Sequence, residues 1–219
     1  SAFETQKMAI RQIHHWTQSE GEPVLVVGEI TDGRVQRLLQ LNRIEVEMRP
    51  EGVIYQWCST GNGSALVVAG TDGRGLMYAL LELAERLNAD GRRAIEDIEN
   101  LIEFPDTAIR GVDRFIMGHL DDEWFHSEDF WHYYLRRIAA CRFNRFVLVM
   151  GFDTAYFSPP YPFFVEVPGY PQVRAKGVDD SRRKENLSRL SRIGQMCRAY
   201  GLEFILGTWQ QTPWTKQQQ

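Results

Sequence analysis

The sequence predicts an α/β protein in which a small α/β domain precedes a series of alternating strands and helices. Short runs of β-branched and apolar residues, typical of strands, are separated by segments whose apolar residues recur at helical spacing. After a polar connector that ends near residue 106, strands and helices alternate in the order βαβαβ. A chain of 219 residues that is 43% hydrophobic and 25% charged has the composition of a globular protein with a substantial core.

The part of the chain before residue 90 is predicted to form a small α/β unit. Runs of valine, isoleucine and aromatic residues predict its strands, and a repeat of leucines from Leu76 to Leu87 predicts its last helix. The sequence Gly-Asn-Gly at residues 61–63 favours a tight turn between two strands. The predicted strands cover residues 23–30, 51–59 and 64–69, with a further short strand at 100–104, and the predicted helices cover 4–18, 33–41 and 73–88.

The segment between the third strand and its helix, GTDGRG at residues 70–75, has the position of a phosphate-binding loop but not its residues. A strand, a glycine turn and a helix are the context in which backbone N–H groups bind a phosphate. The glycine spacing matches neither GxGxxG nor GxxxxGK[ST], no lysine follows, and Asp72 would repel an anion. We therefore predict a structural turn in which Thr71 or Asp72 caps the helix and the glycines permit close packing or a positive φ.

The second part of the chain is predicted to contain three strands and two helices. Residues 145–150, RFVLVM, form a continuous apolar run of the kind that is buried on both faces of a sheet. Ser127 is placed to cap one helix, and Gly201 to end the other. The predicted strands cover residues 108–117, 145–150 and 203–207, the predicted helices cover 127–141 and 184–200, and a long loop covers 151–180.

A βαβαβ series has parallel strands and right-handed crossovers, so the carboxyl ends of its strands lie at one edge of the sheet. A doubly wound sheet and the opening of a (β/α)8 barrel both have this order, and both bind ligands at that edge. The residues predicted there combine acids, an arginine, amides and aromatic rings, which suits a polyhydroxylated ligand. The predicted substrate-binding residues are Asp113, Arg114, Asp153, Tyr156, Trp209 and Gln210, with His119, Asp121, Asp122, Thr208 and Trp214 nearby.

Each of these residues also has a purely structural interpretation. The aromatic residues of FSPPYPFF, residues 157–164, then plug the mouth of the sheet rather than stack on a ligand. In the same interpretation Arg114 pairs with Asp113, Asp121 and Asp122 are solvated loop charges, Asp153 bonds loop amides, Trp209 packs in a core and His119 is a satisfied loop histidine.

Composition limits the other classes of function. The net charge of −4 argues against a nucleic-acid partner that is bound by bulk electrostatics. No apolar run approaches the roughly 20 residues that span a bilayer, so no membrane partner is predicted. The three cysteines are widely spaced in apolar segments, which favours buried free thiols over a disulfide framework or a zinc site. We predict no metal and no cofactor.

Several motifs occur in an order known from two families of glycosidases. The stretches VLVVGEI, EGVIYQW and ALVVAGTDGRGLMYALLELAERL resemble the amino-terminal accessory domain of family-20 β-hexosaminidases and family-67 α-glucuronidases. In those enzymes an acidic turn leads to an RG-x-x-Y sequence, which Arg74, Gly75 and Tyr78 match. The stretches FPDTAIRGVDRF and CRFNRFVLVMGFD resemble their first two barrel strands, and YPQVRAKGV resembles the loop that follows in hexosaminidases. The resemblance spans nearly the whole chain.

This resemblance implies a noncatalytic accessory domain at residues 1–104 and the first three βα units of a TIM-type (β/α)8 barrel at residues 105–219. A barrel typically needs about 250 residues, so the resemblance also implies a truncated chain. The full-length parent would hydrolyse O-glycosyl bonds of a glycan, which is its implied partner. For a glycan-degrading enzyme a periplasmic or secreted location is favoured over a cytoplasmic one, although the location itself stays unknown.

The resemblance assigns no catalytic residue. Glycosidases generally use two carboxylic groups that flank the scissile bond, and hexosaminidases use the acetamido group of the substrate as an exception. In the two families these carboxylates come from later strands. Hexosaminidases also carry Asp-x-x-Arg on the first strand, whereas Asp113 and Arg114 are adjacent here. Their third strand ends in an acidic Pro-Gly-His motif, whereas this chain has GTWQQTPW, which is closer to the glucuronidases.

Two functions of other classes stay open at this point. The chain could be a noncatalytic carbohydrate-binding or structural module, which would bind sugars without hydrolysing them. It could also be a nucleotide or phosphate enzyme on a doubly wound sheet, which would bind an anion at residues 70–75. A lone three-stranded sheet exposes unpaired strand edges, so we further expect a homo-oligomer or packing onto the remainder of a barrel.

Overall fold

The structure, a computed structural model, contains two sheets with helices packed on them, so the predicted α/β class is confirmed. It describes Thr5 and residues 24–116, 121–150 and 161–208. The predicted helix over residues 4–18 lies outside these ranges, apart from Thr5.

Two compact units, Ser1–Ala108 and Ile109–Gln219, make up the chain. Each unit has its own sheet and its own clusters of buried apolar side chains. The assignment of an accessory domain to residues 1–104 and of a partial barrel to residues 105–219 stays a prediction.

The first unit is built on a four-stranded sheet. Its strands are β1 (Val24–Glu29), β2 (Val53–Ser59), β3 (Ser64–Gly70) and β4 (Leu101–Glu103). They lie in the order β1-β3-β2-β4, with β1 parallel to β3 and the other neighbours antiparallel. The predicted Gly-Asn-Gly turn joins β2 to β3, and Gly61 adopts there a φ of 86°, which a side chain would disfavour.

Helices cover both faces of this sheet. The helix α1 (Gly33–Leu41), whose bounds match the prediction, packs on one face, and α2 (Gly73–Asp90) with the short α3 (Arg93–Glu96) packs on the other. Successive side chains of a strand point to opposite faces, so Val53 contacts the α2 side and Ile54 the α1 side. The first unit is therefore a three-layer α/β/α sandwich.

The second unit is built on three parallel strands. They are β5 (Gly111–Ile116), β6 (Arg145–Met150) and β7 (Glu203–Thr208), and they neighbour one another in chain order. The predicted parallel βαβαβ order is therefore confirmed. The helices of this unit are α4 (Asp122–His126) and α5 (Glu128–Ala140), between β5 and β6, and α6 (Asp180–Ala199), between β6 and β7.

Side-chain caps define where the long helices of the second unit begin. Ser127 caps α5 as predicted, because its Oγ accepts a 3.1 Å hydrogen bond from the backbone N–H of Phe130. The carboxylate of Asp179 caps α6 in the same way, with a 2.8 Å hydrogen bond from the N–H of Arg182. As a result α6 begins before residue 184, where the sequence predicted its start.

The described helices of the second unit pack on one face of its sheet. Phe146, Leu148 and Met150 of β6 are buried against these helices, whereas Val147 and Val149 point to the other face and are half-buried. The prediction that β6 is buried on both faces is therefore wrong within the described residues. Although the apolar run of β6 is continuous, the burial of its residues alternates, because α4, α5 and α6 all pack on the same face of the sheet.

One buried side chain, Asn144, connects the amino ends of all three strands. Its Oδ1 accepts a 2.9 Å hydrogen bond from the N–H of Arg110, just before β5. Its backbone carbonyl accepts a 2.9 Å hydrogen bond from the N–H of Glu203, the first residue of β7. Asn144 itself directly precedes β6, so these bonds help to fix the register of the three strands.

The three cysteines are free thiols in two different environments. Cys58 and Cys197 are buried, as predicted, and burial raises the pKa of Cys197 to about 12. Cys141 is exposed, contrary to the prediction, because it directly follows α5 where the chain returns to the surface.

Candidate functional site

The carboxyl ends of the three parallel strands lie level with one another. Ile116 is the register partner of Met150, and Met150 is the partner of Thr208. The last residues of the three strands therefore lie at one edge of the sheet, which is where parallel α/β sheets bind ligands. The substrate site predicted from the sequence depends on this arrangement.

One side of this sheet carries no described helix, and we define it as the open face, formed by Asp113, Phe115, Val147, Val149 and Ile205. Asp113 pairs in register with Val147, and Val147 with Ile205, so a carboxylate stands at the end of a row of aliphatic side chains. Asp113 is exposed, and among the described residues it has no ion-pair partner. Such a carboxylate can accept hydrogen bonds from the hydroxyl groups of a ligand.

Arg114 points to the opposite side, into the layer of helices. Its register partner is Leu148, and its guanidinium carbon lies 4.1 Å from the ring centre of Trp124 and 5.0 Å from that of Phe130. A third ring, that of Tyr134, lies 5.4 Å away. The Nε–H group of Arg114 is buried and donates no hydrogen bond. The rings stabilise the cation by roughly 0.5–2 kcal/mol, which offsets part of the cost of the unpaired N–H.

This geometry separates the two adjacent residues that the sequence placed in one site. Neighbouring residues of a strand point to opposite faces, so Asp113 lies on the open face and Arg114 among the helices. The structural alternative in which Arg114 pairs with Asp113 is therefore wrong. Contact of either residue with a substrate stays a prediction.

The acidic residues at the start of α4 have structural partners. The Oδ1 atom of Asp121 accepts a 2.9 Å hydrogen bond from the indole Nε1–H of Trp124. Asp122 lies 3.1 Å from the guanidinium Nη2 of Arg182 on α6. These contacts join α4 to its neighbours, so the interpretation of the two acids as merely solvated loop charges is incomplete.

Of the remaining predicted site residues, Thr208, the last residue of β7, is described and lies level with Met150. The others lie outside the described residues. The assignment of the others to a substrate site stays a prediction. They are Asp153, Tyr156, Trp209 and Gln210, together with the neighbouring His119 and Trp214.

A pocket of about 170 Å³ lies beside the amino-terminal half of α6, and we call it the α6 pocket. Its apolar wall includes Ile116, the last residue of β5, and Phe163, in a short 3-10 helix formed by Tyr161–Phe163. Its polar groups come from Asp122, Lys176, Arg182 and Asn186. The pocket therefore combines charge, an amide and aromatic surface on the helix side of the sheet.

Two side chains near this pocket contain buried nitrogen or oxygen atoms without a partner. Asn186 is 8% exposed, and its Nδ2 donates a 2.9 Å hydrogen bond to the carbonyl of Phe163 while its Oδ1 accepts none. Both ring nitrogens of His126 are likewise unpaired, although Glu185 lies 3.6 Å away. Burial and the neighbouring charge of Arg182 hold the pKa of His126 below its ordinary value, so the ring stays neutral at neutral pH.

The α6 pocket was not predicted from the sequence. A signal was present in α6, because Asn186 shares a helical face with Leu190, Ile193 and Cys197 and thus interrupts an apolar stripe. The partner that aligns it, Phe163, lies 23 residues earlier in the chain. Such a contact cannot be inferred from local periodicity.

The glycine turn of the first unit is structural, as predicted. Asp72 caps α2 through a 2.8 Å hydrogen bond from the N–H of Gly75, and its other carboxylate oxygen accepts a 3.0 Å bond from the N–H of Glu51. A side chain thus occupies the position that an anion would take. A Cβ atom on Gly75 would lie 2.2 Å from the carbonyl oxygen of Gly52, so close packing explains this glycine.

The buried end of this turn is held by an ion pair. Glu51 is 7% exposed, has a left-handed φ of 60°, and lies 2.5 Å from the guanidinium of Arg74. Although partial burial opposes the charge, the bond to Glu51 raises the pKa of Arg74 above its ordinary value. The Arg-Gly pair that resembles the glycosidase accessory domains therefore serves to close the turn.

Within the ranges that the structure describes, no group of three or more histidine, cysteine, aspartate or glutamate side chains is arranged to hold a metal ion. In the same ranges, no helix is both long enough and apolar enough to cross a membrane.

Comparison with known proteins supports a glycoside hydrolase-like fold. A solved structure of a GH138 enzyme targeting pectin rhamnogalacturonan II matches this chain with a TM-score of 0.55 and 19% sequence identity. The match covers 84% of this chain and 24% of that enzyme, so the chain spans about a quarter of its length. No protein-family model matches the chain. No curated protein matches it either.

This similarity supports the coarser part of the family resemblance and leaves the assignment to family 20 or family 67 as a hypothesis. The fold is like that of a glycoside hydrolase, but the matched enzyme belongs to neither family 20 nor family 67. At this level of identity the similarity concerns the fold alone.

Proposed function

We propose that the chain is part of a glycoside hydrolase and that a glycan binds at the level carboxyl ends of β5, β6 and β7. The observation that carries this proposal is the set of three in-register parallel strands with an open face. On that face Asp113 offers an exposed carboxylate beside aliphatic surface, and this combination suits the hydroxyl groups and the apolar side of a sugar. The glycoside hydrolase-like fold supports the same class.

In this proposal the strands belong to a (β/α)8 barrel and the open face would line its interior. Apart from the exposed Asp113, the residues of the open face are apolar and half-buried, as expected of positions that face a barrel interior. Asp153, Tyr156, Trp209 and Gln210 complete the proposed substrate site, whereas Arg114 lies among the helices and away from the open face. The chemistry is hydrolysis of O-glycosyl bonds, and a β-hexosaminidase-like or α-glucuronidase-like activity is the finer hypothesis.

A noncatalytic carbohydrate-binding module is the second candidate, and one observation favours it. Hydrolysis of a glycoside generally needs two carboxylic groups near the scissile bond. Among the described residues of the open side, the second carboxylate is that of Glu203, which lies at the amino end of β7 and bonds to Arg145 at 2.7 Å. The described residues therefore do not supply a catalytic pair.

Sugar binding by the 219-residue chain tests the proposal. Titration with N-acetylglucosamine is expected to show saturable binding that the substitution Asp113→Asn weakens about tenfold, since a charge-assisted hydrogen bond is lost. Asp106→Asn, at an exposed acid outside this sheet, is the matched control. Equal affinity of both variants would count against the open face.

Hydrolysis separates the two candidate functions. Aryl hexosaminides and aryl glucuronides are offered to the chain and to a longer product that includes any downstream coding sequence. Release of the aryl group by the longer product alone supports a glycosidase whose carboxylates come from later strands. Binding without release by either product supports the noncatalytic module.

A further inference from the structure

We propose that the α6 pocket is a second binding site, which takes a hydroxylated carboxylate about the size of one sugar ring. The pocket lies on the helix side of the second sheet, because its wall residues Ile116 and Phe125 belong to the core cluster that packs against the helices. Asp113 and the other residues of the open face do not line it. The site is therefore separate from the proposed substrate face and does not depend on that proposal.

The first argument is the buried carbonyl of Asn186. Its side chain is held in one orientation because Nδ2 donates to the carbonyl of Phe163 at 2.9 Å. The Oδ1 atom is buried, has no partner and belongs to a residue that lines the pocket. An unpaired buried acceptor is destabilising, and native proteins rarely keep one without a donor. A hydroxyl group of a bound ligand supplies that donor.

The second argument is the charge at the pocket. Lys176 is exposed and has no ion pair among the described residues. Arg182 lies between two carboxylates, since its two terminal nitrogens are each 3.1 Å from a carboxylate oxygen, one of Asp122 and one of Glu185, and of these two acids Asp122 lines the pocket. The charged lining residues are thus two cations, Lys176 and Arg182, and one carboxylate, and their net charge of +1 suits a ligand with a single negative group.

The third argument is size and surface. A volume of about 170 Å³ is close to that of an engineered cavity of about 150 Å³ that binds benzene, so one six-membered ring fits. Phe125, Phe163 and Phe164 provide aromatic surface for the C–H groups of such a ring. A ligand that has a hydroxyl group, a carboxylate and a six-membered ring is a sugar acid or a cyclic hydroxy acid.

Binding of three probes to the 219-residue chain tests this inference at constant ionic strength. The probes are sodium D-glucuronate, D-glucose and inorganic phosphate, followed by calorimetry and ligand-observed NMR. Glucuronate is expected to saturate a site and to bind about tenfold more tightly than either other probe, because it alone offers both hydroxyl and carboxylate groups. Equal binding of phosphate, equal binding of glucose, or no saturation by glucuronate overturns the proposal.

Variants locate the site. Asn186→Leu and Lys176→Met are each expected to weaken glucuronate binding about tenfold, whereas Lys184→Met, at an exposed lysine of α6 that does not line the pocket, leaves it unchanged. Lys176 is exposed, so its substitution tests the site even if Asn186→Leu impairs folding. The pocket component of binding is expected to persist in Asp113→Asn. Loss of all glucuronate binding in that variant, or unchanged binding in both pocket variants, overturns the assignment.

Discussion

The glycine turn of the first unit and the helix layer of the second unit differ in whether their buried polar groups have hydrogen-bond or ion-pair partners. At the turn, both carboxylate oxygens of Asp72 accept backbone hydrogen bonds, and the buried Glu51 pairs with Arg74. In the second unit, Arg114, His126 and Asn186 each contain a buried polar atom without a partner, and within the described ranges all such atoms lie in this unit.

Ligands are expected to bind where buried polar groups lack a partner within the protein. A turn whose donors and acceptors are satisfied internally has no free hydrogen-bonding group for a ligand, even when its glycines resemble a binding motif. Unsatisfied buried groups lower stability, and proteins tend to retain them at sites that serve a function. The comparison predicts that substitutions at the turn damage the fold, whereas substitutions at the unpaired groups are tolerated.

The largest expected effect comes from Gly75→Ala. The added Cβ would lie 2.2 Å from the carbonyl oxygen of Gly52, which is backbone and cannot move aside. We expect the free energy of unfolding to fall by at least about 3 kcal/mol, measured by urea denaturation. Gly73→Ala is the control in the same turn, since its Cβ would meet nothing closer than 3.4 Å. Similar losses in both variants would show that close packing is not the reason for the glycine.

The substitution Asp72→Ala removes the cap of α2 and the acceptor for the N–H of Glu51. We expect a loss of about 2 kcal/mol in the free energy of unfolding, with a smaller loss for Asp72→Asn, because asparagine also caps helices. Added inorganic phosphate is not expected to restore the stability of Asp72→Ala. Restoration by phosphate would reveal an anion site at the turn and would contradict the conclusion that the turn is purely structural.

The substitution Arg114→Met tests an unpaired buried group in the helix layer of the second unit. Methionine keeps the packing of the long side chain against Trp124 but removes an N–H that has no partner. We expect the free energy of unfolding to change by less than about 1 kcal/mol, since the lost cation–π contact and the removed unpaired group nearly cancel. Arg136→Met, at an exposed position of α5, is the control. A loss well above that limit would mean that the guanidinium is satisfied after all.

The smallest effect concerns pH. Burial holds the pKa of His126 below the value of about 6.5 that it has in the unfolded chain. The unfolded state therefore binds the proton first, and stability falls as the pH decreases from about 6.5 toward the lower pKa of the folded state. His126→Phe should reduce this fall while leaving stability near pH 7.5 almost unchanged, as measured by urea denaturation at several pH values. An equal acid response of both proteins would show that Glu185, 3.6 Å away, compensates the charge.

Local signals in the sequence were sufficient for most of the fold. The bounds of α1 and of β6 match the predictions, because caps, β-branched runs and helical spacing are properties of neighbouring residues. The burial of β6 was misjudged for the same reason. Its run of apolar residues does not reveal on which side the helices pack, and that depends on α5 and α6.

Only part of the candidate site could be predicted from the sequence. The common edge formed by the carboxyl ends of β5, β6 and β7 follows from the parallel order of the strands, although Asp113 itself lies in the middle of β5. The opposite directions of Asp113 and Arg114 could have been read from the alternation of a strand. The α6 pocket could not, because Asn186 is aligned by Phe163, which is distant in sequence.

The strand order of the two sheets has a consequence for synthesis on the ribosome. Each strand of the second sheet pairs with the strand translated just before it, so this sheet can grow by addition as the chain emerges. The first sheet cannot, because β1 must wait for β3, and β2 receives β4 only after α2 has been made. A nascent chain that has emerged from the ribosome beyond residue 70 but not yet as far as residue 101 should thus hold an unpaired edge on β2, where a chaperone would be expected to bind.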